Sequence, residues 1–170
     1  KYKFKIYPII QSCAKVISQM PVERVGVFAT NATTKSHAYS RELKKFNPDL
    51  KVFEIACPEW VKIVEEGKQE EPESVQVIKK YVDEMMKNSP DRIILGCTHY
   101  PYLIEVLSSF APREKFIDPA QYFAQYIADE ERGNWKEEAG TREEEREEFS
   151  PKSCSFYVSA SPEHFQKAAN

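Results

Sequence analysis

At 170 residues, with 41% hydrophobic and 12% aromatic side chains, the chain is long enough for one ordinary domain or two small lobes and can bury a core. Its formal charge of −3 argues against a nucleic acid or an anionic membrane surface as the main partner. No apolar run approaches the roughly 20 residues of a membrane span.

The four cysteines, Cys13, Cys57, Cys97 and Cys154, show no CxxC spacing. Zinc and thioredoxin-type chemistry are therefore disfavoured, and single thiols suit a cytoplasmic, reducing setting better than a disulfide framework. Residues 1–5 are basic but no long apolar stretch follows, so no signal peptide is expected. Lys1 is not an initiator methionine, and the chain is expected to begin inside a longer product or to have been trimmed.

In chain order, residues 1–8 are extended and ambiguous. Ile9, Ile10, Cys13, Ala14, Val16 and Ile17 have helical spacing over 9–20, which Pro21 ends. Residues 24–30 read as a strand running into the polar turn Thr30-Asn31-Ala32-Thr33-Thr34. A helix is expected from about Lys35 to Phe46, stopped by Asn47-Pro48. Residues 51–56 give a second strand, followed by Cys57-Pro58 and a helix carrying Trp60, Ile63 and Val64 that Gly67 ends. A polar run over 68–72 leads to an amphipathic helix marked by Val75, Ile78, Val82, Met85 and Met86, closed by Ser89-Pro90.

The apolar run Ile93-Ile94-Leu95 is the central strand, and Pro101 opens a helix through Ile104, Val106, Leu107 and Phe110. A short strand over 115–118 and a helix from Pro119 with Tyr122, Phe123, Tyr126 and Ile127 complete the alternation. Strands alternating with helices mean an α/β fold, a mainly parallel β-sheet flanked by helices. Residues 129–148 break the pattern, with ten acidic and four basic side chains. They read as a solvated loop or exposed helix, or else as an inserted partner-binding element. Residues 153–159 alternate like a final strand and 162–169 like a short closing helix.

Three strand ends carry polar turns: Thr30 to Thr34, Ala56 to Pro58, and Gly96 to His99. In a parallel sheet they share one edge, the carboxyl edge where open α/β sheets bind ligands. Cys97, Thr98 and His99 bring a thiol, a hydroxyl and an imidazole to that edge, and a following helix start favours negative charge there. A cysteine after a strand also packs as a small apolar residue, and Thr-x-x-Pro is also plain helix-start chemistry. The Thr30 to Thr34 turn offers hydroxyls and free N–H groups for a carboxylate, or simple N-capping by Thr33 or Thr34. Glu65 and Glu66 close the Trp60 helix at the end where negative charge is disfavoured, which suits a partner such as His99, or solvent.

Three strings resemble the glutamate racemases of the aspartate/glutamate racemase superfamily. They are Val27-Phe28-Ala29-Thr30-Asn31-Ala32-Thr33-Thr34-Lys35-Ser36-His37-Ala38-Tyr39, Ala56-Cys57-Pro58 with Val64-Glu65-Glu66-Gly67, and Leu95-Gly96-Cys97-Thr98-His99-Tyr100-Pro101. The ordered match runs from about Pro8 to Ile127 and resumes at Phe156-Tyr157-Val158-Ser159-Ala160-Ser161-Pro162-Glu163-His164-Phe165. The resemblance implies cofactor-independent interconversion of L- and D-glutamate by two opposed cysteines, supplying D-glutamate for peptidoglycan. It makes Cys97 the base acting on the L-enantiomer, His99 its tuning or reprotonating neighbour, and Glu65 the partner of His99. Thr98, Thr30 and Thr33, with His99, would bind the substrate. It implies no cofactor and no metal, a small-molecule partner (glutamate), and allows a homodimer. The five scattered glycines form no phosphate loop.

The chain also departs from the family. The family's early Asp-Ser pair, its Tyr-Gly pair and its first cysteine in a Cys-Asn-Thr context are not in these residues. Cys13, in Gln-Ser-Cys-Ala-Lys, reads as packing, as do Cys57 and Cys154, and Ala29 stands where glycine is usual. The expected organisation is therefore a racemase-like second lobe over residues 8–118. A C-terminal segment, 119–170, would return to the first lobe and carry the acidic insert 129–148. Such a chain is expected to be an incomplete, truncated racemase, inactive by itself. The alternatives are a non-catalytic binding module derived from the family, and a related enzyme such as aspartate racemase.

Overall fold

The computed structural model describes residues 6–138, with side chains placed as far as residue 128. The segment Lys1–Trp135 forms one compact unit; the second unit, Lys136–Asn170, lies outside the described residues apart from 136–138. The final strand and closing helix expected over 153–169, and Cys154, also lie outside them.

Helix α1 (Ile9–Ile17) leads to strand β1 (Arg24–Ala29), then helices α2 (Asn31–Ser36) and α3 (Ala38–Phe46) and strand β2 (Lys51–Ala56). Helices α4 (Glu59–Glu65) and α5 (Pro72–Met86) precede strand β3 (Arg92–Leu95). A 3-10 turn (Tyr100–Leu103), α6 (Ile104–Ser108), strand β4 (Phe116–Ile117) and α7 (Pro119–Glu138) follow. The strands lie in the order β2-β1-β3-β4, and every pairing is parallel. The α/β fold read from the sequence is the one observed.

Alternation along the strands divides the core into two clusters, one per sheet face. Phe28, Ile93 and Leu95 pack with Trp60 of α4, Ile78, Val82 and Met85 of α5, and Leu107 of α6. Val25, Val27, Ala29 and Ile94 face the other way, against Cys13, Ala14 and Ile17 of α1 and Tyr39 and Leu43 of α3. The sequence signals hold at the punctuation points. Pro72 opens α5 at the position where its missing N–H costs nothing. Gly67, after α4, takes a positive φ of 66°.

Three boundaries differ from the sequence reading. Helical structure starts at Asn31 rather than about Lys35, because Thr30 caps it, and the helix breaks at His37, which adopts φ 50° and ψ 29°. The helix expected from Pro101 opens as a 3-10 turn and turns α-helical only at Ile104. Helix α7 runs on to Glu138, past Ile127, so of the two forms expected for the acidic segment, loop or helix, its first half takes the helical one. Among the described residues no helix is long and apolar enough to cross a membrane.

Candidate active site

From β1 the chain crosses to β2 on one side, and it later returns to build β3 on the other side of β1. The junction of β1 and β3 is therefore the topological switch point, where the outgoing loops separate and leave a crevice at the carboxyl edge. Phe28 pairs with both Ile55 and Leu95, which puts the three exits at one level. Two further bonds continue the ladders beyond the strands: Gly96 N–H to the Phe28 carbonyl at 2.7 Å, and Cys57 N–H to the Ala29 carbonyl at 2.9 Å. Thr30 leaves β1 and Cys97 follows β3, so the two stand on either side of this junction.

In the turn after β3, Cys97 Sγ lies 3.7 Å from His99 Nδ1. The other imidazole nitrogen, Nε2, is 3.4 Å from Glu65 Oε1 at the end of α4. This is the carboxylate–imidazole–thiol order that orients a proton acceptor toward sulfur: a carboxylate beside Nε2 favours the tautomer that keeps its proton there, which leaves the Nδ1 lone pair for the thiol. Cys97 is partly buried, while His99 and Glu65 side chains are 35% and 59% exposed, so solvent reaches the pair. The turn is held beneath by Tyr100, whose N–H bonds the Cys97 carbonyl at 3.1 Å. Its buried hydroxyl donates to the Cys57 carbonyl at 2.8 Å, tying the β3 exit to the β2 exit.

Thr30 Oγ1 accepts the Thr33 N–H at 3.4 Å and lies 3.1 Å from Thr33 Oγ1. The cap is therefore Thr30, not Thr33 or Thr34; the Thr34 hydroxyl is buried without a partner among the described residues. Thr98 is exposed at the tip of the turn. The structure thus joins Cys97, His99 and Glu65 by direct contacts and Thr30 with Thr33. The strand register puts the two groups at the exits of adjacent strands, with Thr98 exposed in the turn after β3.

Cys13 and Cys57 are both fully buried. Burial, with Asp118 adding to it, pushes the Cys13 thiol up to about 12, and burial likewise pushes Cys57 up. Both stay protonated and shut away near neutral pH, which leaves Cys97 as the described thiol that solvent and a ligand can reach. Among the described residues no group of three or more His, Cys, Asp or Glu is arranged to hold a metal ion. Two neighbours were given no role by the sequence reading. Tyr39 lies buried against Gly96, and its phenol is pushed up by burial and then by Cys13, Cys97 and Asp118. Glu54 on β2 holds the α2–α3 break. Tyr39 closes the first family-like string but sits on an ordinary apolar stripe of α3 with Leu43, so its spacing alone does not separate it from core packing.

The profile of the Asp/Glu/hydantoin racemases matches residues 6–127. The chain belongs to that family. Within it, the chain is 36% identical over 121 residues to the glutamate racemase of Trichormus variabilis, covering 71% of this chain and 41% of that protein. It is 33% identical over 170 residues to the glutamate racemase of Gloeobacter violaceus, covering 99% of this chain and 60% of that one. The crystal structure of glutamate racemase from Francisella tularensis in complex with D-glutamate superposes with a TM-score of 0.68 at 29% identity, covering 74% of this chain and 47% of that one. The chain spans about half the length of the curated relatives it matches. This stretch of the Asp/Glu/hydantoin racemase fold contains both strand exits of the switch point.

Proposed function

We propose that the protein carrying this chain is a glutamate racemase, a cofactor-independent isomerase in which Cys97 is one of two proton-transfer bases. The observation that carries the reading is the approach of Cys97 Sγ to His99 Nδ1 at 3.7 Å, with Glu65 engaging the opposite nitrogen. The similarity to glutamate racemases supports the substrate, as does a rim of hydroxyls suited to carboxylates.

In this mechanism His99 takes the thiol proton, giving a thiolate beside an imidazolium whose Nε2–H points at Glu65. The thiolate removes the α-proton of L-glutamate, and a second acid returns a proton to the opposite face. In the reverse direction Cys97 delivers its proton to the carbanion formed from D-glutamate. Thr30, Thr33 and Thr98 hold the carboxylates, fixing the α-carbon over sulfur. The α-proton is weakly acidic, so most of the acceleration comes from placing the base close, excluding water and stabilising the carbanion electrostatically. Neither Cys13 nor Cys57 can be the opposing acid, since both are sealed in the core. We further propose that the D-glutamate serves peptidoglycan synthesis in the cytoplasm, in keeping with the free thiols of Cys13, Cys57 and Cys97.

The test is incubation of the full-length protein with L-glutamate in deuterated water. Deuterium at the α-carbon together with D-glutamate is the expected result, with L-aspartate run in parallel to check the substrate. Binding of glutamate without exchange would overturn the enzymatic reading in favour of a binding module.

A further inference from the structure

Glu54 occupies an unusual place for a carboxylate. On β2, Phe53 and Ile55 pack into one core cluster and Val52 into the other. Alternation puts Glu54 on the Val52 face, and its side chain is only 6% exposed. A charge so shielded requires donors. Both come from the junction between α2 and α3. His37 Nδ1 lies 2.8 Å from Glu54 Oε2, and the Ser40 backbone N–H donates to Oε1 at 3.4 Å.

The Ser40 N–H is one of those that a helix leaves unbonded in its first turn. His37, at the N-cap of α3, offers no side-chain cap of its own, and its left-handed backbone is costly for a non-glycine residue. The carboxylate on the adjacent strand supplies the cap instead, and the imidazole it holds fixes the strained residue. His37 also closes α2, its N–H bonding the Thr34 carbonyl at 3.1 Å. Helix α2 has six residues, too few to keep a direction unaided. Its start is tied to β1 through Thr30, and its far end is tied to β2 through His37.

We propose that Glu54 and His37 form a latch that positions the Thr30–Thr33 hydroxyl pair for the substrate carboxylate. This rests on the reading of those threonines as glutamate contacts. Glu54 and His37 are positioning residues: neither touches the substrate, and the latch acts through the orientation of α2.

The test combines a ligand-free and a kinetic readout on the full-length protein. Glu54→Ala is expected to speed amide hydrogen exchange at Thr34 and His37 by about tenfold or more, leaving Val27 and Phe28 in β1 unchanged. It should raise the KM for glutamate by about fivefold or more while kcat stays within about twofold. Glu54→Gln, whose amide can still accept from Ser40 and donate to His37, should restore both. Unchanged exchange in α2 overturns the latch. Faster exchange with an unchanged KM, while Thr33→Ala raises KM, overturns the positioning role alone. An unchanged KM in Thr33→Ala overturns the assignment of the threonines, and the proposal with it. If Glu54→Ala loosens β1 as well, the exposed His37→Ala gives the same comparison without disturbing the core.

Discussion

Tyr39 lies across Gly96: a Cβ built on that glycine would stand 2.8 Å from Tyr39 Cε2 and 3.0 Å from the Phe28 carbonyl oxygen. The residue ahead of Cys97 thus has no room for a side chain, because the buried ring and the neighbouring strand already fill the space. Gly96→Ala should destabilise the fold by about 1–3 kcal/mol and displace the Cys97 turn. Thermal unfolding checks the first effect, and loss of α-proton exchange checks the second. A variant with wild-type stability and exchange would show that the contact is loose.

Cys97→Ser should leave unfolding unchanged, since the swap is nearly isosteric at a partly buried position. It should slow α-proton exchange by on the order of 10²–10⁴-fold, the usual worth of a positioned base. Exchange at the wild-type rate would remove Cys97 from the chemistry.

The solvent-exposed Glu65–His99 pair separates stability from activity. Glu65→Gln should shift stability by no more than about 1 kcal/mol, as exposed ion pairs do. Exchange should nevertheless fall, because the imidazole loses the carboxylate that fixes its tautomer. Denaturant melts and exchange rates measured on the same sample would show whether the two effects part in this way.

The threonines should divide in the same manner. Thr30→Ala removes the N-cap of α2 and should cost about 0.5–2 kcal/mol of stability. Exposed Thr98→Ala should leave stability alone and weaken glutamate binding by roughly 1–3 kcal/mol if a buried carboxylate loses its donor. Titration calorimetry beside thermal melts distinguishes them.

At the far edge of the sheet, Asp91 accepts the backbone N–H groups of Glu23 and Arg24, both at 2.9 Å. These bonds, with help from Lys115 and Arg24, hold its carboxyl below the usual value. A depressed native pKa contributes stability above the unfolded value of about 4, and this is lost as pH falls through the lower native value. Asp91→Asn should therefore lower the melting temperature at pH 7 and flatten its decline below about pH 4. Parallel melts of the two proteins down an acid series measure this directly.

The strands were legible because Val25–Ala29 and Ile93–Leu95 are short apolar runs between breakers, and that pattern survives into the sheet unchanged. Cys97 was legible as a strand-end residue, but its chemistry came only with the family-like string around it. The α2–α3 break was not legible, since His37 is held left-handed by Glu54, 17 residues away on another strand. Nor was the cap at Thr30: Thr30, Thr33 and Thr34 are equivalent in composition, and only the strand exit decides which faces the helix start. Local patterns write themselves into a sequence; a single long-range carboxylate does not.

The hydrogen bond from Tyr100 to the Cys57 carbonyl has one more consequence. It braces the loops leaving β2 and β3 against each other beneath the thiol, so a displacement of either exit is passed on to the other.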